Sequence, residues 1–168
     1  MDKETIIIVN EKDEIIGHKE RGTLSQSDIY RVSALWVMNS RDEILLAKRH
    51  HTKDHYPGRW GPAVTGTISE GETYGENIVK ESKEEIGIKN VKFEVGPKTK
   101  ISNEYSHFTQ WYFLKIDKNV DAFELQKNEV EEVKWFSPED LRKQFQKYPE
   151  NFIPRIENYF KLFCKDNV

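Results

Sequence analysis

Gly66-Thr-Ile-Ser-Glu-Gly-Glu72, running on through Thr73 to Lys80-Glu-Ser-Lys-Glu-Glu-Ile-Gly-Ile88, is the stretch on which the reading of this chain turns. Thr73 followed three positions later by Glu76 is a capping box, and Gly87 stands where a left-handed helix terminator belongs. The signals predict a helix over about residues 74–86. On it Glu81, Glu84 and Glu85 are three and four positions apart, so their carboxylates share one face. Left alone, such a face repels itself. Clustered hard oxygen donors suit Mg²⁺ or Mn²⁺, and a partly hydrated Mg²⁺ usually completes its shell with substrate phosphates. The alternative for the same residues is a solvated Glu/Lys-rich face, common in a chain with 33% charged residues. It accounts for the charge but not for two glycines in register.

Working outward, Thr5 to Val9 and Glu14 to His18 flank the polar turn Asn10–Asp13 as a hairpin, about residues 4–18. Tyr30–Met38 and Glu43–Lys48, rich in β-branched and apolar residues, flank a second turn at Asn39–Asp42. A long polar loop from Arg49 to Arg59 leads into Trp60–Thr67 and so into the acidic helix. Lys92–Ile101, Phe108–Ile116 and Val130–Phe136 read as strands. Ser137-Pro138 opens a helix to about Lys147, and Pro154 is read as opening a last one that ends near Cys164. Strands interspersed with helices, without repeats or a linker, give an α/β chain read as one domain over residues 1–168.

Composition excludes more than it identifies. The net charge of −3 provides no overall basic field for a nucleic acid polymer, and Lys48-Arg49 alone is too short to make such a surface. No apolar run approaches a membrane span, and the N-terminus lacks the apolar stretch of a secretion signal, so a cytoplasmic protein is expected. The single cysteine, Cys164, allows no internal disulfide.

The spacing resembles the Nudix box, G-x5-E-x7-R-E-U-x-E-E-x-G-U with U bulky and apolar. Gly66, Glu72, Glu81, Glu84, Glu85, Gly87 and Ile88 fall in register, while Lys80 replaces the arginine and Ser82 the first apolar position. The resemblance implies an α/β/α sandwich around a mixed β-sheet, with the box, residues 66–88, as a loop-helix-loop metal site. It also implies a Mg²⁺- or Mn²⁺-dependent hydrolase of a small-molecule diphosphate. Glu81 is then the first candidate for activating water or holding the ion beside it, with Glu84 and Glu85 as ligands and a carbonyl of Thr65 or Gly66 completing the shell. Lys80 offers a point charge where arginine offers a planar fork, so the carboxylates are expected to be less firmly oriented. Ser82 is tolerable if its hydroxyl bonds back to the preceding turn. Glu72 is expected to organise the loop and helix start.

Val9–Gly17, Leu45–Arg49, Thr52-Lys53 and Pro57–Trp60 look like the subgroup related to isopentenyl-diphosphate isomerases. That likeness points Arg49 and Lys53 at the diphosphate. The isomerases, however, place a catalytic cysteine where this chain has Thr65, whose hydroxyl is a far weaker acid than a thiol. They also place metal-binding histidines where Tyr30 and Thr67 align. Hydrolysis of a nucleoside diphosphate derivative is therefore preferred to isomerisation, and to a binding protein that has lost turnover. Glu129, Glu131 and Glu132 read as a charged loop that could lend one more carboxylate. His50, His51 and His55 lack the cysteines and closed ligand set of a structural zinc site, although one of them could touch substrate. Trp36, Trp60, Trp111, Trp135 and Tyr105 could stack on a nucleobase, but tryptophan and tyrosine in strands more often belong to the core or the sheet face, which is the expectation for all five.

Overall fold

The computed structural model describes residues 3–164. In chain order the strands are β1 (Thr5–Val9), β2 (Ile15–Glu20), β3 (Ile29–Met38), β4 (Ile44–Arg49), β5 (Trp60–Pro62), β6 (Val64–Thr67), β7 (Glu94–Ile101), β8 (His107–Lys115) and β9 (Val130–Phe136). The helices are α1 (Tyr74–Ile86), α2 (Pro138–Lys147) and α3 (Ile156–Phe163).

Strand β3 organises the sheet. Along one edge it pairs in parallel with β8, from Tyr30↔His107 to Met38↔Lys115. Its other edge is shared in turn by β1, β6 and β4, all antiparallel. Strand β2 extends the sheet beyond β1, β7 lies beyond β8, and β4 carries β5 and β9. The sheet is therefore mixed. Alternation along β3 and β4 sends side chains to two cores. Leu35, Val37, Leu45 and Ala47 pack with Ile78 and Ile86 of α1. Ala34, Trp36, Ile44 and Leu46 pack on the opposite face with Leu141 and Phe145 of α2 and Ile156 and Phe160 of α3. Each large buried aliphatic contributes about 1.5–3 kcal/mol, and together they fix the expected α/β/α layering.

Local chemistry explains the turns. Asn10 and Asn39 play the same part in the β1–β2 and β3–β4 hairpins: each side-chain oxygen accepts backbone N–H groups two and four residues on, and each amide donates to the following Glu14 or Glu43. Asp13 and Asp42, at matching positions, take left-handed φ of 62° and 59°, which Asp tolerates better than most residues. Asp13 also ties the first hairpin inward. Its carboxylate accepts from Arg31 Nε at 2.7 Å, Lys98 Nζ at 2.6 Å and Tyr74 Oη at 3.1 Å.

Trp60–Thr67 forms two short strands, β5 and β6, on different partners. One expectation changes here. Pro154 does not open the last helix: Arg155 intervenes at φ 69°, ψ 0°, and α3 begins at Ile156. Cys164 closes α3 and packs beside the aromatic core, and burial pushes its thiol up to about 11. Trp36 and Trp111 are fully buried, as expected.

Candidate active site

Helix α1 starts and stops where its sequence says. Thr73 caps Glu76 N–H at 3.2 Å, Glu76 returns a bond to Thr73 N–H at 2.8 Å, and Gly87 closes the helix at φ 71°. The helix lies across β6 so closely that Gly66 has no room for a side chain. A Cβ there would meet Asn77 Oδ1 at 2.5 Å and the Glu81 side chain more closely still. Gly66 therefore sets the separation of strand and helix, leaving main chain beside Glu81.

Asn77 holds this junction together. Its oxygen accepts from Ser33 Oγ at 2.5 Å, and its amide donates to Thr67 O at 3.1 Å and Glu72 Oε2 at 2.9 Å. Glu72 also accepts from Ser69 N–H at 3.0 Å and from Lys80. Burial pushes the Glu72 carboxyl up, but bonds from Lys80, Ser69 and Asn77 outweigh it and keep the group below the ordinary range. Glu72 thus sits as an organiser of the turn into α1. Lys80 reaches Glu81 as well, at 3.4 Å, so the single ammonium spans two carboxylates. Ser82 departs from expectation: its buried hydroxyl has no hydrogen-bond partner among the described residues.

Beyond the junction lies a small cleft lined by Lys48, Arg49, Thr65, Glu85 and Glu129 among others. Burial, with repulsion from Glu81 and Glu129, pushes the Glu85 carboxyl up to about 8, against the opposing Thr65 N–H bond and the nearby Lys53. Glu81 is also raised, mainly by burial, with Glu84 and Glu72 adding to the push against Lys80. Glu84 itself is exposed. Arg49 donates to His55 O at 2.8 Å, and burial lowers its guanidinium below the ordinary value while Glu85 and Glu129 counteract. Lys53 is paired with Glu129.

Arg49 and Glu85 thus line the cleft, Glu81 and Lys53 lie within electrostatic reach of Glu85, and Glu84 is exposed. Among the described residues no three His, Cys, Asp or Glu side chains converge into a ready-made metal cage. This includes His50, His51 and His55: the first two rings lie tilted with centroids 4.0 Å apart, and His55 lies tilted 4.3 Å from Tyr105. Of the three glutamates before and within β9, Glu129 enters the cleft while Glu131 reaches Lys48 at 3.4 Å. Asn77 went unnoticed in the sequence, although its place four residues before Glu81 puts both on one helix face. Glu129 carried no signal separating it from its neighbours.

The NUDIX domain model matches residues 29–156, and the chain belongs to that family. It is 28% identical over 167 residues to the uncharacterized Nudix hydrolase YfcD of Escherichia coli K12, covering 98% of this chain and 91% of that protein. With the protein of the same name from Salmonella typhi it shares 31% identity over 140 residues, 82% of this chain and 74% of that one. The crystal structure of DR0079 from Deinococcus radiodurans superimposes with a TM-score of 0.80 at 24% identity, covering 97% of this chain and all of that one. The protein is accordingly a Nudix hydrolase, an enzyme class that cleaves acid-anhydride linkages of diphosphates and generally uses a divalent metal such as Mg²⁺. Among the described residues no helix is long and apolar enough to cross a membrane.

Proposed function

We propose that this chain hydrolyses the diphosphate linkage of a nucleoside diphosphate derivative with Mg²⁺ or Mn²⁺, by attack of water at phosphorus. The observation that carries the reading is a carboxylate set beside cations in one cleft: Glu85 of α1 lines it with Arg49 and Glu129, and Glu81 and Lys53 lie within electrostatic reach of Glu85. Glu85, pressed by burial and two like charges, is a group that a divalent cation would relieve. Glu81 and Glu85 would hold such an ion, with the exposed Glu84 turning in as a third ligand and a carbonyl of Thr65 or Gly66 as a further donor. When bound, the ion supplies charge compensation at the diphosphate and a lowered pKa for water.

The chain's own residues perform the remaining tasks. Arg49 and Lys53 bind phosphate oxygens, Lys53 exchanging its contact with Glu129 for one with substrate. Glu81 accepts the proton of the attacking water; burial raises its affinity for a proton above that of an ordinary carboxylate, the direction a general base needs. Asn77, Glu72 and Lys80 hold Glu81 in place, which argues against a site that has lost turnover. Thr65 stands in the cleft where an isomerase would need a thiol, so isomerisation is the weaker reading even within an isomerase-like subgroup. The substrate is a small molecule and the expected setting is the cytoplasm.

A screen for phosphate and nucleotide release tests this. It would cover nucleoside di- and triphosphates, nucleotide sugars, dinucleotides and isopentenyl diphosphate, with Mg²⁺ or Mn²⁺. Metal-dependent cleavage abolished by Glu81→Gln is the expected result. Absence of cleavage throughout, or conversion of isopentenyl diphosphate without phosphate release, would overturn it.

A further inference from the structure

Adjacent residues of β6 serve different neighbours. Thr65 lines both the acidic cleft and a larger, mostly apolar one walled in part by the rings of Tyr30, His107, Trp111 and Tyr159, so a ligand whose diphosphate lies at Arg49 can extend into this aromatic cleft. Gly66 is turned towards α1, where a Cβ would lie 2.5 Å from Asn77 Oδ1. Gly66 is also the register partner of Ser33 on β3. Its missing side chain lets Asn77 reach past β6 to the Ser33 hydroxyl, 2.5 Å away. Ser33 and Asn77 are both fully buried, at 0% exposure.

The hydrogen bonds around Asn77 can run only one way. Its amide nitrogen faces Thr67 O at 3.1 Å and Glu72 Oε2 at 2.9 Å, a carbonyl and a carboxylate that only accept. The amide oxygen therefore points at Ser33, and the Ser33 hydroxyl donates to it. Removing that hydroxyl leaves a buried oxygen without a donor and the amide without the bond that sets its direction. Glu72 is held in turn through both oxygens: Oε2 accepts from Asn77 and from Ser69 N–H, and Oε1 from Lys80. Lys80 carries one nitrogen on a flexible four-carbon stem, and from its seat on Glu72 it stands 3.4 Å from Glu81 Oε1. Asn77 Nδ2 is 3.5 Å from that same oxygen. Asn77 and Lys80 thus approach the same two carboxylates from two residues, as one planar guanidinium would from a single residue.

We propose that Ser33 and Asn77 are positioning residues for Glu81: the Ser33 hydroxyl fixes the Asn77 amide, the amide fixes Glu72, and Glu72 seats Lys80 against Glu81. The inference rests on the hydrolase reading for the task of Glu81 and extends it by giving the central strand β3 a part in the site.

Calorimetry with Mn²⁺ alone, and turnover at saturating Mn²⁺ of the diphosphate found in the release screen, test the chain of contacts. Ser33→Ala and Asn77→Ala are each expected to weaken Mn²⁺ binding about tenfold and to lower kcat about tenfold, the scale of one lost hydrogen bond to a charged group. KM should stay within about twofold, because Arg49 and Lys53 are untouched. Adding Lys80→Arg to Asn77→Ala should restore most of both losses, since a planar fork can take the Glu72 oxygen that the amide gives up and still reach Glu81. The melting temperature of the double variant should stay near that of Asn77→Ala, whose cavity an arginine at position 80 does not fill. A purely structural Asn77 would show no such rescue. A double variant no better than Asn77→Ala, parental behaviour of Ser33→Ala, or a loss confined to KM would overturn the inference and leave the hydrolase reading standing. The rescue pattern in Mn²⁺ affinity, with no diphosphate cleaved by the unaltered protein, would refute the hydrolase reading and keep the positioning chain. Mn²⁺ that is neither bound nor able to support cleavage in the unaltered protein would overturn both.

Discussion

Replacing Glu85 with glutamine should stabilise the metal-free protein, increasingly as pH rises above about 4.5. The folded protein holds the Glu85 proton up to about pH 8, against an ordinary value of 4.5. Because the fold binds this proton more tightly than the open chain, the associated stability is fully present below about pH 4.5. It is lost as pH rises towards 8, and above that the ionised group is a constant burden. The gap corresponds to a ceiling of roughly 5 kcal/mol. Water at the mouth of the cleft reduces the expected gain of Glu85→Gln to about 2 kcal/mol. Urea unfolding with a chelator present, on both proteins at about pH 4, 6 and 9, reads the effect directly. The curves should coincide at the lowest pH and separate progressively above it. Parallel curves would show that Glu85 is no more reluctant to ionise in the fold than outside it. Saturating Mg²⁺ should narrow the difference, since the ion stabilises the charged carboxylate, and the variant should hydrolyse poorly. Stability and activity trade off here at a single carboxylate.

Other expectations concern separate parts of the site. Glu81→Gln should lower kcat by about 10²–10⁴-fold, the range typical of a lost general base, with an unfolding midpoint near that of the parent; near-normal turnover would remove Glu81 from its role. Gly66→Ala should cost about 1–3 kcal/mol in urea unfolding, as overpacking does, and depress turnover too, because the added carbon displaces Asn77 and Glu81. For Asp13, burial raises the carboxyl but bonds from Lys98 and Arg31 outweigh it and hold it below the ordinary value. Its stabilisation is therefore present at neutral pH and lost as pH falls through the acid range. Asp13→Asn should flatten that part of the pH–stability profile, which circular dichroism across acid titration would detect.

The site was legible in sequence where its signals are local. Thr73, Glu76 and Gly87 delimit α1 through bonds within a few residues of one another, so the helix stood where the capping pattern put it. The two hairpin turns were similarly visible, because Asn10 and Asn39 act on their own neighbours. What could not be read depends on meetings between distant segments. Glu129 differs from Glu131 only in what β9 brings it against, and the aromatic cleft draws on segments from Tyr30 to Tyr159. Pro154 misled because proline at a first helical position and proline before a left-handed residue leave the same local trace. That Lys80 contacts both Glu72 and Glu81 likewise depends on how the turn into α1 folds back on the helix.

The placement of β3 has a consequence in time. From Tyr30 to Met38 it pairs with β8, which lies nearly half the chain further on, and among the described residues that is its only parallel pairing. Closing so long a loop costs entropy before the contacts repay it, so folding should be slow for the chain's size. During synthesis β1, β4 and β6 emerge first and can occupy one edge of β3 while the other waits, open, for β8. The acidic helix can form early from its own caps. The wall of the aromatic cleft that carries His107 and Trp111 cannot exist until β8 arrives, so ligand recognition is among the last properties the newly made protein acquires.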